Sequence, residues 1–286
     1  MSACRNGLDS KGEAIKELTM QGRKPYRSGL VVRSIWNMTR LHANSTIGRI
    51  IRLPLNLIPA GTDLRILRGP LKGAHWISDS SNATCWMGIY EHKKQQAFEK
   101  WVKGGQVVFD LGANVGFYSL LSSRIVGETG RVIAFEPARR NIPYLRRHLE
   151  MNDIHNCAVF ESAVSSEEGQ AYFEASDLPV TGHIAATSSN SNYQVSTVVL
   201  DKLVSDGKVP KPHLIKCDIE GAELKALRGA RETLLNCRPV ILLSTHGDDV
   251  HASCCGLLRE LRYRIEPLEE GVAIAETDEL VALPVA

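Results

Sequence analysis

Two segments of the sequence combine residue types that could bind a ligand and act on it. In the first, an apolar run over residues 107–109 ends in Asp110 and continues as a turn with the sequence Asp-Leu-Gly-Ala-Asn-Val-Gly. Such a turn is typical of nucleotide-binding βα units, because Gly112 and Gly116 let the backbone pass close to a ligand. The turn lacks the three glycines that seat a pyrophosphate on a helix N-terminus. A nucleoside without phosphates fits it better, and S-adenosylmethionine is the commonest of these.

A carboxylate follows the next predicted strand. Residues 131–135 form a mostly apolar run, and Glu136, which comes directly after it, lies 24 residues beyond Gly112. In dinucleotide-binding folds an acid about 20 residues after the glycine turn holds the ribose hydroxyls. Capping of the following helix is the alternative role for Glu136. We prefer ribose binding, because Pro137 holds the chain rigid at the end of a buried strand.

The second segment, residues 213–223, places four charged side chains where an apolar strand ends and a helix begins. They belong to Lys216, Asp218, Glu220 and Glu223. Charges at such a position are costly unless they are paired or used. The helix dipole accounts for the two glutamates but not for Lys216 and Asp218. We therefore prefer a functional role for this segment to a purely structural one.

The elements that must position these segments alternate between strands and helices. This alternation predicts an α/β fold with an open, mostly parallel sheet of seven strands and helices on both faces. Ligands in such sheets bind outside the carboxyl ends of the strands, where the strand order reverses. Asp110, Glu136 and Asp218 all lie at predicted strand ends. The predicted strands cover residues 107–110, 131–135, 156–161, 213–218 and 239–244, and two more lie near 263–283.

The chain divides into three zones. Residues 1–60 form a basic extension with ten Lys and Arg against three Asp and Glu, and its apolar residues predict one or two amphipathic helices. Residues 61–105 predict a hairpin, turning at Gly69 and Pro70, and a helix that leads into the core. Residues 106–286 form the domain that carries both segments and would bind S-adenosylmethionine.

The basic extension has two interpretations. Its apolar face packs on the rest of the chain, or the extension lies on an anionic membrane surface or a partner. We prefer packing, because Pro54 and Pro59 interrupt the helical pattern and the charges do not gather into one block. The sequence gives no indication of oligomeric state.

Composition disfavours several classes of protein. The sequence has no run of about 18 apolar residues and no apolar core of a signal peptide, so we expect a cytoplasmic protein without a membrane span. Its seven cysteines are an odd number without a C-x-x-C pair, which argues against a zinc site and a disulfide framework. A Ser- and Asn-rich loop over residues 187–192 is either a lid over the site or an insertion without a role.

Successive motifs of the sequence resemble those of FkbM-type methyltransferases over about residues 85–285. The resemblance implies a class I methyltransferase (Rossmann-like) fold, S-adenosylmethionine as methyl donor, and a hydroxyl of a small molecule, sugar or polyketide as acceptor. Family members commonly have a glutamate two residues before a histidine after the fifth strand, whereas this chain has Ser244 before His246. The motifs that carry the resemblance are residues 88–91, 110–116, 134–137, 152, 163–165, 200–201, 215–223 and 227–230.

The resemblance and the strand ends together give a set of site residues. We expect the glycine turn beside the methionine part of the donor, Glu136 by the ribose, and the backbone near Ser162 by the adenine. Asp218, Glu220 and Glu223 leave metal assistance open, but three acids do not identify a magnesium site, so we assign no metal ligands. The predicted cofactor-binding residues are Asp110, Gly112, Ala113, Asn114, Gly116, Glu136, Ser162, Ala163 and Asp218.

The acceptor hydroxyl must also lose its proton near the moment of attack. The predicted catalytic residues are His246, Asp218 and Glu220, with His246 or Asp218 as the base. The alternative for His246 is a structural histidine held by the turn at residues 247–249.

Two other functions stay open. The first is a methyltransferase acting on nucleic acid or protein, with the extension as docking arm. We disfavour nucleic acid, because residues 218–221 read Asp-Ile-Glu-Gly where many base methyltransferases have Asn/Asp-Pro-Pro-Tyr/Phe, and aromatic residues make up only 6% of the chain. The second, suggested by Ser244, is a donor-binding module without turnover. We prefer a small-molecule or glycan acceptor.

Overall fold

The computed structural model describes residues 58–175, 182–185 and 192–285. Nearly all of the basic extension lies outside this part of the chain. The two interpretations of the extension therefore concern residues outside the described part. Residues 187–191 of the Ser- and Asn-rich loop also lie outside it.

The described part alternates strands and helices, as the sequence predicts. The strands are β1 (Asp63–Arg65), β2 (His75–Ile77), β3 (Val107–Leu111), β4 (Arg131–Phe135), β5 (Cys157–Phe160), β6 (Ser162–Val164), β7 (Gly169–Ala175), β8 (Gly182–Ala185), β9 (Asn192–Val198), β10 (Leu214–Cys217), β11 (Val240–Ser244), β12 (Tyr263–Pro267) and β13 (Glu279–Pro284). The α-helices are α1 (Ala83–Met87), α2 (His92–Trp101), α3 (Phe117–Val126), α4 (Asn141–Met151), α5 (Leu200–Ser205), α6 (Glu223–Arg228), α7 (Arg231–Cys237) and α8 (Asp248–Glu260).

Seven strands form one mostly parallel sheet in the order β12-β13-β11-β10-β3-β4-β5. Strand β13 runs antiparallel to both its neighbours, whereas β11, β10, β3, β4 and β5 are parallel. The strand order reverses between β3 and β10, so the crevice that binds ligands in such sheets lies above these two strands. This arrangement confirms the predicted class I methyltransferase fold.

Helices cover both faces of the sheet. Successive residues of a strand point to opposite faces, so a strand that is apolar throughout needs helices on both sides. Val108 and Leu214 belong to the core cluster that includes residues of α2 and α3. Their neighbours Phe109 and Ile215 belong to the cluster that includes residues of α6, α7 and α8. The near-continuous apolar runs of β3 and β10 are therefore those of strands buried on two faces.

The predicted hairpin and the helix after it are present and pack on the core. Strands β1 and β2 pair antiparallel. The His75 backbone N–H donates to Asn152 Oδ1 at 2.8 Å, which joins β2 to the end of α4. Helix α2 follows, and its Phe98 is fully buried in the same core cluster as α3. The zone over residues 61–105 thus positions α2 beside the crevice.

A second sheet, in the order β6-β9-β7-β8, lies between β5 and β10 in the chain and was not predicted. Its strands carry mixed polar and apolar residues and flank a Ser- and Asn-rich segment, so their sequence is typical of a loop. The predicted strand over residues 156–161 ends at Phe160, and β6 begins two residues later in this other sheet. Helix α1 was also missed, because it has only five residues.

In the described residues, no helix combines the length and apolar character needed to cross a membrane. The six cysteines in this part of the chain are all free thiols.

Candidate functional site

A cavity of about 470 Å³ opens at the carboxyl ends of β3, β4, β10 and β11. Its volume lies in the range of ligand-binding clefts, about 300–1,000 Å³. Two groups of residues at this cavity differ in their chemistry. The glycine-turn wall consists of Gly112, Ala113, Asn114, Glu136 and Ala163. On the other side lies a group that we call the Lys94 cluster, which consists of Glu91, Lys94, Asp218, Ser244 and Glu279.

The glycine turn is fixed by its close approach to neighbouring backbone. Gly112 has a φ of 78°, and a Cβ atom there would lie 2.0 Å from the carbonyl oxygen of Asp218. The backbone N–H groups of Gly112 and Ala113 both donate to Phe135 O at 3.0 Å. A side chain at position 112 would therefore push apart the turn and the loop after β10.

Glu136 joins the glycine turn to the start of α4. Its Oε2 atom accepts a hydrogen bond from the Asn114 backbone N–H at 2.7 Å. Its Oε1 atom accepts from the Ala138 backbone N–H at 2.9 Å and from Asn141 Nδ2 at 3.2 Å. Burial raises the pKa of Glu136, and these three hydrogen bonds oppose the rise. Glu136 therefore holds the start of α4, and it also lines the cavity, so its role at the ribose stays a prediction.

Asp110 lies beneath the glycine turn and not in the cavity wall. It is fully buried, with Oδ1 at 3.1 Å from Lys216 Nζ and Oδ2 accepting from Ser119 Oγ at 2.6 Å. Lys216 in turn donates to Gly112 O at 2.8 Å and does line the cavity. Asp110 therefore acts on the site through Lys216, because its side chain points toward α3.

The cavity wall contains most of the other predicted residues. Gly116 and Ser162 lie outside it, since Gly116 packs against Leu145 and Ser162 pairs with Ser196 in the second sheet. Phe173 of β7 lines the cavity and was missed, because its sheet was not predicted. The predicted residues that line the cavity are Gly112, Ala113, Asn114, Glu136, Ala163, Asp218, Glu220 and His246.

Lys94 is the centre of its cluster and is 4% exposed. Its Nζ atom lies 2.9 Å from Glu279 Oε1, 3.1 Å from Asp218 Oδ2, 3.2 Å from Glu91 Oε2 and 2.9 Å from Ser244 Oγ. Burial lowers the pKa of Lys94, but the three carboxylates outweigh burial and raise the pKa well above its usual value. Lys94 therefore carries a positive charge at neutral pH.

The sequence did not reveal Lys94 or Glu279, because their partners lie on distant elements. Lys94 and Asp218 are 124 residues apart, and Lys94 and Ser244 are 150 residues apart. Glu91 belongs to residues 88–91, one of the motifs that carry the family resemblance, so that motif was the available signal.

Two carboxylates of the Lys94 cluster have pKa values shifted in opposite directions. Burial raises the pKa of Asp218, but Lys94, Lys216 and His246 outweigh burial and hold that pKa well below its usual range. Burial raises the pKa of Glu279 to about 7, and the negative charges of Glu91 and Asp218 add to the rise while Lys94 opposes it. Asp218 is therefore a permanent anion, whereas Glu279 exchanges its proton near neutral pH.

His246 is surrounded by carboxylates. Its Nδ1 atom lies 2.8 Å from Oε1 of the fully buried Glu223, and its Nε2 atom lies 3.7 Å from Asp218 Oδ1 and 3.5 Å from Glu220 Oε2. Burial lowers the pKa of His246, but these carboxylates outweigh burial and raise the pKa to about 9. His246 is therefore an imidazolium ion at neutral pH and can accept a proton only once it has lost this one.

Within the described ranges, no group of three or more His, Cys, Asp or Glu side chains is arranged to hold a metal ion.

Comparison with known proteins finds similarity to several methyltransferases. A hexuronic acid methyltransferase, AglP, from Haloferax volcanii is 32% identical over 138 residues, which cover 48% of this chain and 54% of the relative. Methyltransferase sdnD from Sordaria araneosa is 27% identical over 159 residues, covering 44% of this chain and 60% of the relative. The chain therefore spans little more than half the length of these curated relatives.

A solved structure of an FkbM methyltransferase from Methylobacillus flagellatus is 16% identical, with a TM-score of 0.45, and the match covers 71% of this chain and 55% of that chain. The family model of the FkbM methyltransferase domain matches residues 110–265. Because that match takes in more than half of the 286 residues, this chain belongs to the FkbM methyltransferase family.

Proposed function

We propose that this chain transfers a methyl group from S-adenosylmethionine to a hydroxyl of a small-molecule acceptor, such as a sugar or a polyketide-like alcohol. The observation that carries the proposal is the joining of two unlike walls in one cavity. The glycine-turn wall offers backbone and a single carboxylate, as a nucleoside needs, and the Lys94 cluster offers charged groups that can move a proton.

The residues of the glycine-turn wall fit the donor by their chemistry. Glu136 offers its Oε2 atom to a ribose hydroxyl, because Oε2 accepts one hydrogen bond from Asn114 and keeps a lone pair, whereas Oε1 already accepts two. Ala163 and Phe173 form an apolar surface suited to a purine ring. The Lys216 ammonium, beside the turn, suits the donor's carboxylate.

The donor supplies a methyl group on a sulfonium, which is already a strong electrophile. The protein's part is to position the two ligands, exclude water and help remove the acceptor's proton. Asp218 of the Lys94 cluster is a poor base, because Lys94, Lys216 and His246 hold its pKa low. It holds Lys94 and His246 in place and offers a fixed negative charge to either ligand.

A sugar or other hydroxylated acceptor is supported by the relative AglP, which is described as a hexuronic acid methyltransferase. The cavity wall opposite the glycine turn agrees with such an acceptor, since carboxylates such as Glu91 and Glu279 accept hydrogen bonds from hydroxyl groups.

The proposal is tested by incubating the purified chain with S-adenosylmethionine and a panel of acceptors, with products followed by mass spectrometry. The panel contains neutral sugars, hexuronic acids, polyketide alcohols, RNA and DNA. We expect a methyl ether and S-adenosylhomocysteine in equal amounts from one alcohol class. Methylation of nucleic acid alone would contradict the proposal, and so would donor binding without turnover on any acceptor.

A further inference from the structure

We propose that Glu279 takes the proton from the acceptor hydroxyl during methyl transfer, an inference that rests on the proposed function. Glu279 lies on β13, outside both segments that suggested the site from the sequence.

The pairing of β11 and β13 places Glu279 at the reaction edge of the sheet. The two strands are antiparallel, and Glu279 lies directly opposite Ser244, the last residue of β11. Ser244 Oγ lies 3.2 Å from both carboxylate oxygens of Glu279, and both residues line the cavity. At this edge of the sheet β11 therefore provides the hydroxyl of Ser244, and the neighbouring β13 provides the carboxylate of Glu279.

Lys94 binds one oxygen of the Glu279 carboxylate, and Ser244 contacts both oxygens. The Glu279 Oε1 atom is bound to Lys94 at 2.9 Å, whereas Oε2 has Ser244 as its hydrogen-bond partner. The side chain is 34% exposed, although Lys94 behind it is buried. An acceptor hydroxyl in the cavity can therefore donate to Oε2 while Lys94 keeps the carboxylate in position.

The polar and charged groups around Glu279 come from several elements. Lys94 of α2 and Glu91 before α2 face it, as do Asp218 after β10 and Ser244 of β11. The phenol of Tyr118 on α3 donates to Glu91. Two like charges and burial act against one cation, and the resulting pKa of about 7 suits a base that works at neutral pH.

The other candidate bases are less suited. Asp218 binds protons too weakly, because two lysines and His246 hold its pKa low. His246 is already protonated below about pH 9. When the surroundings of two titratable groups move their pKa values apart, one group serves as the acid and the other as the base. In this cavity Glu279 is the carboxylate whose pKa lies near neutrality.

The acceptor oxygen forms a bond to the methyl carbon as the bond between that carbon and sulfur breaks, and the electron pair of the broken bond stays on sulfur. The acceptor's O–H proton passes to Glu279 Oε2. The carboxyl group, whose side chain is partly exposed, then releases the proton to water, which restores the anion for the next turnover.

The test is the pH dependence of kcat/KM for the wild type, Glu279→Gln and Glu91→Gln, on the acceptor found active. We expect the wild-type rate to rise with pH through about 7, as Glu279 ionises. Glu279→Gln should lower the rate by ~10²- to 10⁴-fold and abolish this rise. Glu91→Gln should keep the rise but move it to lower pH, because it removes a neighbouring negative charge from Glu279.

Two further measurements separate this role from a structural one. Binding of S-adenosylhomocysteine should be similar in the wild type and Glu279→Gln, and Glu279→Asp should recover part of the rate. A wild-type rate and pH profile in Glu279→Gln would overturn the inference, as would a rise near pH 9 that His246→Asn abolishes. A folded wild type that neither binds S-adenosylhomocysteine nor methylates an acceptor would instead overturn the proposed function, on which the inference rests.

Discussion

The two walls of the cavity are built in different ways. The glycine-turn wall is held by backbone N–H and C=O groups from β3, β4 and the start of α4, and its single carboxylate, Glu136, is satisfied by neutral donors. The Lys94 cluster is held by charged side chains from α2, β13 and the loop after β10, together with the hydroxyl of Ser244 on β11. The first wall therefore depends on backbone shape and the second on charge balance, so the two should respond differently to mutation and to pH.

The largest expected effect comes from removing the cation of the Lys94 cluster. Lys94→Met leaves Glu91, Asp218 and Glu279 close together without the cation they share, although Lys216 and His246 still face Asp218. Breaking a buried ion pair on one side costs about 3–5 kcal/mol. The carboxylates of the folded variant then bind protons more tightly than those of the unfolded chain. The loss of stability should therefore be large at pH 8 and smaller at pH 5, as measured by denaturant unfolding.

Lys93→Met is the matched control for this prediction. Lys93 is the adjacent lysine, its side chain is half exposed, and it pairs with Glu269 at the surface. Its loss should cost less than about 1 kcal/mol at either pH. Equal losses from Lys94→Met at pH 5 and pH 8 would contradict the account of the cluster as a balance of charges.

The next largest effect should come from the backbone of the glycine-turn wall. Gly112→Ala places a Cβ atom 2.0 Å from Asp218 O at a φ of 78°, so the turn and the loop after β10 must separate. We expect a loss of about 1–3 kcal/mol in unfolding free energy and strongly weakened binding of S-adenosylhomocysteine, independent of pH. Gly104→Ala is the control, since a Cβ atom there meets nothing within 4 Å. Wild-type binding by Gly112→Ala would show that the turn does not hold the donor.

A smaller effect concerns the pH dependence of stability. The pKa of Glu279 is about 7 in the folded protein, above its ordinary value of 4.5. Its contribution to stability is therefore fully present below about pH 4.5 and is lost as the pH rises through about 7. The unfolding free energy of the wild type relative to Glu279→Gln should fall across this window. Denaturant unfolding at several pH values measures the difference, and parallel curves would contradict the raised pKa.

The same contrast explains what the sequence could predict. The glycine turn and Glu136 lie within 24 residues of each other, at the ends of strands with continuous apolar runs, so their roles follow from local pattern. Lys94 and Glu279 have no such local pattern, although Asp218 of the same cluster lies in the charged segment 213–223. Lys94 follows another lysine on a polar helix, and Glu279 precedes an apolar strand, so each has the sequence context of a surface residue. Only the register of β11 with β13 brings Glu279 to Ser244.

Two sequence predictions change once the surroundings are known. Asp110 was placed beside the donor, but β3 and β10 bring it into register with Lys216, which neutralises it beneath the turn. The role of His246 as the base stays a prediction. The fully buried Glu223 and two other carboxylates raise the pKa of His246 to about 9, so the neutral imidazole that can accept a proton predominates only above that pH. Neither environment can be read from spacing along the chain.

The most direct test of the central claim, that one wall of this cavity holds S-adenosylmethionine, is calorimetric titration of S-adenosylhomocysteine into the wild type, Glu136→Gln and Glu279→Gln. We predict micromolar binding by the wild type. Binding by Glu136→Gln should be weaker by about 1–3 kcal/mol, roughly 5- to 150-fold, because the ribose hydroxyls and the turn lose a charged partner. Glu279→Gln should bind like the wild type. No binding by the folded wild type, or equal weakening by the two variants, would contradict the account.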